Sequence, residues 1–484
     1  MNIQGIELEK ISDNLWEIPQ SGGMLVPGRI YASQNMLETS FQNDEALKQV
    51  VNVAYLPGIQ KYSLAMPDIH WGYGFPIGGV AATDIENGVI SPGGVGYDIN
   101  CGVRLARTSL DYNSNKNKIQ KLIDNLFKNI PTGIGSSGAI KKLSASETKR
   151  ILKNGAQWAI ENGFGIEEDL SLTEETGRLN NADPESVSDR AIERGQDQAG
   201  TLGSGNHFLE VDVVEEIFDE TAAAVFELLK NQLVILIHTG SRGLGYQICD
   251  DNLQILVNTQ KKYGFNLPDR QLACAPIQSQ EGQDYLSAMR CAANFAWNNR
   301  QIIMHLAKKT LNETFNISDA DLGFHLVYDV CHNIAKIEEH EIDGIKKKVC
   351  VHRKGATRAF PAGNNQIPEK YKEVGQPVLI PGDMGRYSYI SVGKEKSMHE
   401  TFGSSCHGAG RLQSRHQALK QAKGKNLINE LAKSGIIIRA KGYKTIAEEM
   451  PNAYKDVAIV VDVMHNAGIS TKVAKLKPIG VIKG

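Results

Sequence analysis

The chain has 484 residues, 41% of them hydrophobic and 22% charged, and its formal net charge at pH 7 is −2. The length allows about two to three domains or one large α/β enzyme, and a core of this size needs no disulfide staples. No apolar run approaches the roughly 20 residues that span a bilayer, and the first residues lack the basic and apolar segments of a signal peptide, so we predict no membrane partner.

Seven cysteines are present, at positions 101, 249, 274, 291, 331, 350 and 406. Their number is odd, their spacing is irregular, and no CxxC pair occurs. Such usage fits a reducing compartment better than secretion, so we expect a cytoplasmic location.

The small net charge conceals a gradient along the chain. Residues 161–194 carry ten Asp or Glu against three Lys or Arg, whereas residues 411–484 carry five against 14. This asymmetry is compatible with a polyanionic partner at the C-terminal side. A lysine-rich helix face is usually only a solvated surface, however, so charge alone does not decide the question.

Periodicity and turn residues predict alternating helices and strands. The expected elements of the first half are a helix and then a strand (QVVNVAYLP) within 40–65, glycine-dense strands over 67–107, helices over 115–162, a helix at 184–196 inside the acidic stretch 163–200, a strand at 207–213, a helix at 214–230 and a strand at 232–238. Those of the second half are helices at 246–262 and 280–318, strands at 324–330 and 347–352, two strands about a turn over 377–393, a helix at 410–433 and a shorter one at 446–454. No repeat or long linker divides the chain, and the mixture indicates an α+β fold in one compact unit.

Asp98 and Cys101 stand three residues apart in the glycine-flanked segment SPGGVGYDINCGVR. A carboxylate suits hard cations, a thiolate suits softer ones, and one thiolate can bridge two metals. Three histidines end or follow apolar runs in similar settings: His207 in GSGNHFLEV, His238 in LVILIHTGSRGLG and His332 in VYDVCHNIAK. Any one of these alone could equally well be an ordinary core or loop histidine, but four such segments predict metal ligands at the ends of buried strands.

His407 lies among small residues in TFGSSCHGAGRLQSRHQALKQA, shortly before a helix. Arg411 and Arg415 are four residues apart and are expected to share one helix face. A histidine beside two guanidiniums and helix N-terminal amides suits phosphate chemistry, as a nucleophile or an acid–base group. Alone, the motif would be a glycine turn ahead of an ordinary basic helix.

Two further glycine turns, HTGSRGLG at 238–245 and PGDMG at 381–385, could cradle phosphates through backbone N–H groups. Neither matches the GxxxxGK[ST] loop, and no GxGxxG follows the first strand. An ordinary P-loop or Rossmann enzyme is therefore disfavoured.

Together these segments resemble a known family. GYDINCGVR, GSGNHFLEV, HTGSRGLG, CHNIAK, PGDMG, TFGSSCHGAGR, the Tyr454-Lys455-Asp456 segment and the closing KLKPIGVIKG are similar to the motifs of the RtcB family of RNA ligases. The matches run in order from about residue 67 to the last residue, and DINCGVR and CHGAGR are the most specific of them.

The resemblance implies a single α+β domain over 1–484, with mixed sheets and surrounding helices. It implies that GTP, as cosubstrate, and two Mn²⁺ ions drive the joining of an RNA 3′-phosphate or 2′,3′-cyclic phosphate end to a 5′-hydroxyl end, in tRNA splicing or RNA repair. The implied partner is broken RNA, such as tRNA halves or damaged RNA, and an accessory activating protein is a further candidate partner.

The resemblance also implies roles for individual residues. Asp98, Cys101 and His207 would hold one metal, and Cys101, His238 and His332 the second, with Cys101 as the bridge. His407 would be the nucleophile that takes GMP from GTP. The implied guanylate pocket comprises Asn206, His207, Phe208, Leu209, Glu210, His332, Asn333, Pro381, Gly382, Asp383, Met384, Ser388, His407, Gly408, Ala409, Gly410 and Lys483.

One position departs from the family pattern, in which a hydroxyl residue often follows the Pro-Gly pair. Asp383 stands there in this chain, and because its carboxylate would repel a nucleotide phosphate, its backbone rather than its side chain is expected to serve. Lys483, followed only by Gly484, would reach a purine edge, although an exposed tail is the commoner fate of such a lysine.

The chemistry of these residue types agrees with the implied reaction. A histidine that attacks the α-phosphorus of GTP stores the activation as a phosphoramidate, and metals neutralise the triphosphate. The ligand set fits Mn²⁺ but would bind Zn²⁺ too, often more tightly. Two alternatives use the same residues: a dinuclear metal phosphoesterase that activates water, and an RNA-binding scaffold without catalysis. A covalent nucleotide on His407 distinguishes the ligase from both.

Overall fold

The computed structural model describes residues 1–41 and 44–484, and these form a mixed α/β protein. The strands, in chain order, are β1 Asn2–Ile3, β2 Ile6–Glu7, β3 Glu9–Ser12, β4 Leu15–Ile18, β5 Gly28–Tyr31, β6 Ile59–His70, β7 Ile77–Asp84, β8 Val89–Ile90, β9 Gly102–Asp111, β10 Phe208–Ile217, β11 Gln232–Thr239, β12 Ala275–Pro276, β13 His325–Cys331, β14 Asn333–Ile342, β15 Ile345–Lys354, β16 Ala356–Arg358, β17 Pro377–Ile380, β18 Ser388–Gly393, β19 Ser404–Cys406, β20 Ile437–Ala440 and β21 Ser470–Lys483.

Helices cover both large sheets. In chain order they are α1 Gln34–Thr39, α2 Ala46–Val53, α3 Tyr112–Asn115, α4 Ile119–Asn129, α5 Ala145–Asn154, α6 Ala156–Glu161, α7 Glu167–Ser171, α8 Asp189–Gly195, α9 Glu220–Phe226, α10 Arg242–Lys262, α11 Gln280–Phe315, α12 Asp319–Leu322, α13 Glu395–Glu400, α14 Arg415–Ala422, α15 Leu427–Lys433, α16 Tyr443–Glu448 and α17 Val457–Asn466. None of them, within the described part of the chain, has the length and apolar character that crossing a bilayer requires.

The larger sheet has the strand order β13-β9-β11-β10-β21-β18-β17, and β20 adds to β21 in parallel. Along that order the neighbours are antiparallel, so the start of one strand and the end of the next lie at the same edge. The register pairs Phe208 with both His238 and Lys483, and Gly102 with Cys331. One edge of this sheet therefore collects the starts of β9 and β10 and the ends of β11, β13 and β21.

The second sheet, β14-β15-β7-β6-β5-β4-β3, adjoins the first at this edge. His332 is the single residue between β13 of one sheet and β14 of the other. The far end of β6 carries Asp68, and the short strand β19 leads directly into His407. The two sheets thus bring the glycine turn around His407 to the strand ends of the larger sheet.

Helix α11, 36 residues long, packs behind the same edge and is buried along most of its middle. Its Arg300 forms an ion pair with Asp329 at 2.8 Å and donates to the carbonyl oxygens of Asn100 and Thr239 at 2.8 and 2.9 Å. Asn100 precedes Cys101, and Thr239 follows His238. One buried guanidinium therefore ties together the segments that carry those two side chains.

Most of the expected elements are confirmed, including the strands at 207–213, 232–238, 324–330 and 347–352 and the helices at 246–262 and 280–318. The strand expected in QVVNVAYLP is wrong, because Ala46, Val50 and Val53 are buried on one face of α2 and the strand begins only at Ile59. Gln42 and Asn43, within the helix expected from residue 40, lie outside the described residues.

Three other expectations need correction. The helix expected at 214–230 is confined to α9, because β10 stays paired with the long strand β21 as far as Ile217. The helix expected at 410–433 is two helices, α14 and α15, separated by a turn in which Gly424 has a φ of +81°. The one expected at 446–454 begins earlier, at Tyr443, and ends before Pro451. Strand β14 had no counterpart among the expectations.

Candidate metal and nucleotide site

The five side chains expected to bind metal converge at the shared sheet edge. The Sγ atom of Cys101 lies 3.5 Å from His207 Nε2 and 3.3 Å from His238 Nε2, and His238 Nε2 lies 3.4 Å from His332 Nε2. The carboxylate Oδ2 of Asp98 lies 2.7 Å from His207 Nε2. The ligand atoms fall into two overlapping groups, Asp98–Cys101–His207 and Cys101–His238–His332, with Cys101 common to both.

The chemistry of this donor set fits a cation. His238 Nε2 lies within 3.5 Å of both the Cys101 sulfur and His332 Nε2, and such groups cannot all donate a proton inward. His238 Nδ1 is buried and has no hydrogen-bond partner among the described residues. Mixed carboxylate, thiolate and imidazole ligands suit divalent transition metals. The residues of the cluster are therefore able to hold two ions that share Cys101.

The electrostatics of the cluster agree with metal binding. Burial lowers the pKa of His238 and of His332 well below the usual range, and neighbouring imidazoles lower it further, so both rings are neutral ligands at pH 7. Burial would raise the pKa of Asp98, but the contact with His207 brings it down to about 2. Burial and Asp98 raise the pKa of the Cys101 thiol, which a cation would have to deprotonate.

His407 lies next to this cluster, with its ring centroid 4.8 Å from that of His332. Its Nδ1 lies 2.6 Å from Oδ2 of the buried Asp68, and the same oxygen accepts the backbone N–H groups of His407 and Gly408. Asp68 thereby fixes the ring and leaves Nε2 as the free nitrogen. Gly410, with a φ of +73°, passes so close to the Asp68 carbonyl that a Cβ there would collide with it.

A cavity of about 380 Å³ opens in front of His407. The predicted nucleotide residues whose atoms line it are Asn206, Phe208, His332, Asn333, Pro381, Gly382, Asp383, Met384, His407, Gly408, Ala409, Gly410 and Lys483. Asp98, Cys101 and His238 also line it, so the metal cluster and the nucleotide residues share one space. Lys483 is not an exposed tail: it is 3% exposed, and its Nζ donates to Gly205 O at 3.0 Å.

Four predicted nucleotide residues lie outside the lining. His207 faces the metal cluster, and the side chain of Leu209 packs in the apolar core. Glu210 and Ser388 lie together, hydrogen-bonded to each other, and Ser388 Oγ accepts the N–H of Gly382 at 3.1 Å. Burial, with Asp212 nearby, raises the pKa of Glu210 well above its usual range, and Lys483 opposes that rise.

Asp383 lines the cavity with little of its side chain accessible to solvent. Its Oδ1 accepts the N–H of Gly385 at 2.9 Å, and Arg386 lies 3.4 Å from its Oδ2. Burial raises its pKa to about 6, against the influence of Arg386. The carboxylate is thus turned into its own loop, and the loop presents backbone to the cavity.

Arg411 and Arg415 both line the cavity, but they do not share a helix face as the spacing suggested. Arg411 precedes α14, in a bridge with Tyr454, and the helix begins only at Arg415. The two guanidiniums converge instead on buried Glu449, at 3.0 and 3.1 Å. The two positive charges therefore reach the cavity from a loop and from a helix N-terminus.

Several residues at the site carried no clear sequence signal. Asp68 lies 339 positions before His407 in an ordinary strand pattern. Lys354 lines the cavity, donates to Tyr73 O at 2.6 Å, and has a pKa lowered to about 7 by burial. Arg242, in the HTGSRGLG turn, donates to Thr201 Oγ1 at 3.2 Å on the His207 side. The glycine turn was the only signal for Arg242.

The comparison with known proteins agrees with this geometry. The family described as tRNA-splicing ligase RtcB matches residues 49–484. The tRNA-splicing ligase RtcB of Thermococcus kodakarensis is 54% identical over 480 residues, which cover 99% of each chain. Those of Archaeoglobus fulgidus and Pyrobaculum aerophilum are 54% and 50% identical, and each alignment covers 100% of both chains. The chain therefore belongs to the RtcB family of tRNA-splicing ligases.

Proposed function

We propose that this protein is an RNA ligase of tRNA splicing and RNA repair, which uses GTP and Mn²⁺ to join a 3′-phosphate or 2′,3′-cyclic phosphate end to a 5′-hydroxyl end. The observation that carries the proposal is the position of His407. Its ring is held by Asp68 on one side and lies 4.8 Å from the ring of His332 on the other, within a chain of the RtcB family.

The two groups of ligand atoms would hold two Mn²⁺ ions, with Cys101 common to both. When bound, such ions neutralise phosphate charge and orient an in-line displacement. The role of Arg300 is to fix the segments that carry Cys101 and His238, so that the ligand atoms stay within reach of one another. Because the same ligands suit Zn²⁺, zinc is expected to compete for the site.

His407 Nε2 is the proposed nucleophile in the first step. It attacks the α-phosphorus of GTP, a P–N bond forms, and the bond to the departing pyrophosphate breaks. Asp68, whose pKa is held down by His407 against the effect of burial, remains ionised, and its Oδ2 accepts a hydrogen bond from Nδ1–H without taking the proton. This hydrogen bond stabilises the positive charge that develops on the ring as Nε2 forms its bond to phosphorus.

The second and third steps transfer and release the guanylate. An oxygen of the RNA 3′-phosphate attacks the guanylyl phosphorus, and the P–N bond to His407 breaks. The RNA 5′-hydroxyl then attacks the activated 3′-phosphorus, and GMP leaves. A 2′,3′-cyclic end must first be opened by water to a 3′-phosphate. Arg411, Arg415 and Lys354 line the cavity and would bind the phosphate oxygens throughout.

The proposed guanine subsite centres on Lys483, which lines the cavity, whereas the Glu210–Ser388 pair lies outside the lining. Lys483 Nζ is buried beside Gly205 O, and the carboxylate of Glu449 favours its charged form. A lysine can donate to guanine O6 and N7, whereas adenine carries an amino donor in place of O6.

We propose broken RNA ends and GTP as the partners, in a single ligase domain over 1–484. Cytoplasmic location is proposed from the seven cysteines, all of which are free and buried. An accessory activating protein is a candidate partner. Whether one is required is tested by assaying the purified protein without any other protein.

The test is covalent labelling of the purified protein with Mn²⁺ and α-labelled GTP. We expect a label that is acid-labile and alkali-stable, as a phosphoramidate is, and that transfers to an RNA 3′-phosphate. His407→Ala should abolish the label and retain the metal. His399→Ala, at an exposed helical position away from the cavity, is the matched control and should label normally.

Undiminished label on the His407→Ala protein would assign the nucleophile elsewhere. Metal-dependent release of phosphate from RNA without any covalent label would support the dinuclear phosphoesterase. RNA binding without either reaction would support a scaffold. Labelling that appears only when a cell extract is added would show that an activating partner is required.

A further inference from the structure

A basic groove lies beside the candidate site, between α14 and α16. It has a volume of about 560 Å³ and is lined by His416, Lys420, Lys423, Tyr443 and Lys444, among other residues. The helices approach closely because Ala418 and Ala422 pack against Ile446 and Ala447, all buried. The larger flanking side chains are left as the walls of an open channel.

The charge of this segment differs from that of the rest of the chain. Residues 414–447 contain eight Lys or Arg and one Asp or Glu, in a protein whose net charge is −2. Lys444 Nζ lies 3.7 Å from the carboxylate of Glu448, and the side chain of Lys444 remains 78% exposed. Within the described residues, Lys420 and Lys423 have no ion-pair partner. These charges are therefore available to an external anion.

The lining of the cavity and that of the groove meet at adjacent residues of the chain. Arg415 lines the cavity and opens α14, and His416, the next residue, lines the groove. His416, Lys420 and Lys423 follow at spacings of four and three, on one helix face. From Arg415 to Lys423 the helix rises about 12 Å, which matches about three to four phosphate-to-phosphate steps at the ~3.4 Å axial spacing of a stacked strand.

Tyr443 adds an aromatic surface to the groove. It is 43% exposed, and its hydroxyl donates to Lys425 O at 2.5 Å, which fixes the ring at the groove wall. A fixed, exposed ring between cations is the arrangement by which proteins bind single-stranded nucleic acid without reading its sequence.

We propose that this groove binds the RNA strand that leaves the ligation pocket, holding its backbone with Lys420, Lys423 and Lys444 and stacking a base on Tyr443. This inference rests on the proposed function, because an RNA end in the pocket is what requires an exit path. RNA is favoured over an acidic protein because His416, in the groove, directly follows Arg415, which lines the pocket that would hold the reacting phosphate.

The test compares a groove variant, Lys420→Ala/Lys423→Ala/Lys444→Ala, with a charge-matched control. The control is Lys48→Ala/Lys121→Ala/Lys153→Ala, at exposed lysines that line neither the cavity nor the groove. Binding of a fluorescent single-stranded RNA with a 3′-phosphate is measured by anisotropy at several salt concentrations. Covalent labelling with GTP, which needs no RNA, checks that the pocket of each variant is intact.

We expect the groove variant to bind RNA at least about ten-fold more weakly at 0.15 M salt. The slope of log affinity against log salt concentration should decrease in magnitude by about 2, because each of the three lost phosphate contacts contributes ~0.7. The control should stay within about two-fold of the wild type. The loss should be seen with long strands and be absent with strands of about four nucleotides, which end within the pocket. Tyr443→Ala should weaken binding at least about five-fold, and Tyr443→Phe should retain it.

Unchanged RNA affinity and salt slope in the groove variant would overturn the proposal, as would an equal loss in the control. Equal losses for short and long strands would assign the effect to the pocket. Competition by polyglutamate as effective as competition by RNA of equal charge would assign the groove to an acidic protein. Anisotropy needs no catalysis, so failure of the wild type to label or ligate would refute the proposed function separately.

Discussion

The carboxylate of Asp68 lies 2.6 Å from Nδ1 of His407, although 339 positions separate the two residues. The same oxygen also accepts the backbone N–H groups of His407 and Gly408, so one buried carboxylate fixes both the ring and the turn that carries it. The pair has the geometry of an orienting carboxylate and a histidine with a free Nε2.

Asp68→Asn should therefore slow guanylylation by about 10²-fold or more, the range expected when a positioned acid–base partner is lost. An amide cannot balance the positive charge on the ring as the carboxylate does. The measurement is the rate of covalent labelling with GTP, with metal content and circular dichroism as controls for folding. A rate within about three-fold of the wild type would show that Asp68 only shapes the turn.

Cys101→Ser should reduce metal occupancy at both positions, because one sulfur belongs to both groups of ligand atoms. A hydroxyl is a much weaker ligand than a thiolate for divalent transition metals. Metal analysis and anomalous scattering of Mn²⁺-loaded protein should show both ions depleted, with the wild-type ligands at about 2–2.5 Å from metal. Cys406→Ser, at another buried cysteine, is the matched control. Depletion of one ion alone would show that Cys101 does not bridge.

The sequence predicted the metal cluster because its ligands sit at strand boundaries. His207, His238 and His332 each adjoin an apolar run, and in an antiparallel sheet such boundaries meet at one edge. The sequence could not predict Asp68 or Glu449, since their partners are brought to them only by the packing of distant segments. No spacing rule connects residues that meet in this way.

The error over Arg411 and Arg415 has a local cause. The four-residue spacing suggested one helix face, but Ser414 and Gln417 form a capping box that starts α14 at Arg415. That S-x-x-Q signal was present in the sequence and outweighs the charge spacing. The helix expected at 214–230 failed for a non-local reason, because β21 extends the pairing of β10 to Ile217.

Lys455 is expected to act on His407 through Asp68. Its buried Nζ donates to Pro67 O at 3.0 Å and to Ile69 O at 2.5 Å, the two carbonyls that flank Asp68. Lys455→Met should slow labelling by about ten-fold with little change in the KM for GTP, because a residue that positions the carboxylate orienting His407 acts on the chemical step. In the Asp68→Asn background the same change should cost little more. Full additivity of the two losses would show that Lys455 acts independently of Asp68.

Lys483 should determine the choice of purine. It is buried at the end of β21, beside Gly205 O and within reach of the Glu210–Ser388 pair. Lys483→Met should raise the KM for GTP by about ten-fold or more and leave the poor labelling with ATP unchanged, since an unpaired buried acceptor costs roughly 1–3 kcal/mol. Lys477→Met, on the same strand and away from the cavity, is the control. Equal losses with GTP and ATP would assign Lys483 to the phosphates or to folding.

Asp212 should make stability depend on pH. It is fully buried on β10, neither carboxylate oxygen has a hydrogen-bond partner within the described residues, and burial raises its pKa to about 8. In the unfolded chain the pKa returns to about 3.9. Between about pH 4 and pH 8, therefore, the folded protein keeps Asp212 protonated whereas the unfolded chain does not. The stability that the neutral carboxyl contributes is lost as the pH rises from about 4 through 8.

Asp212→Asn removes this titration. The melting temperature of the variant, relative to that of the wild type, should rise steadily from about pH 5 to pH 8. The corresponding gain in the free energy of unfolding of the variant over the wild type should be on the order of 2–4 kcal/mol at pH 8. Any constant offset from the new amide is irrelevant, because the measured quantity is the slope with pH. Asp343→Asn, at an exposed hairpin position, should leave the slope unchanged. Parallel melting curves for Asp212→Asn and the wild type would mean that Asp212 is ionised in the folded protein and balanced by a charge such as that of Lys483.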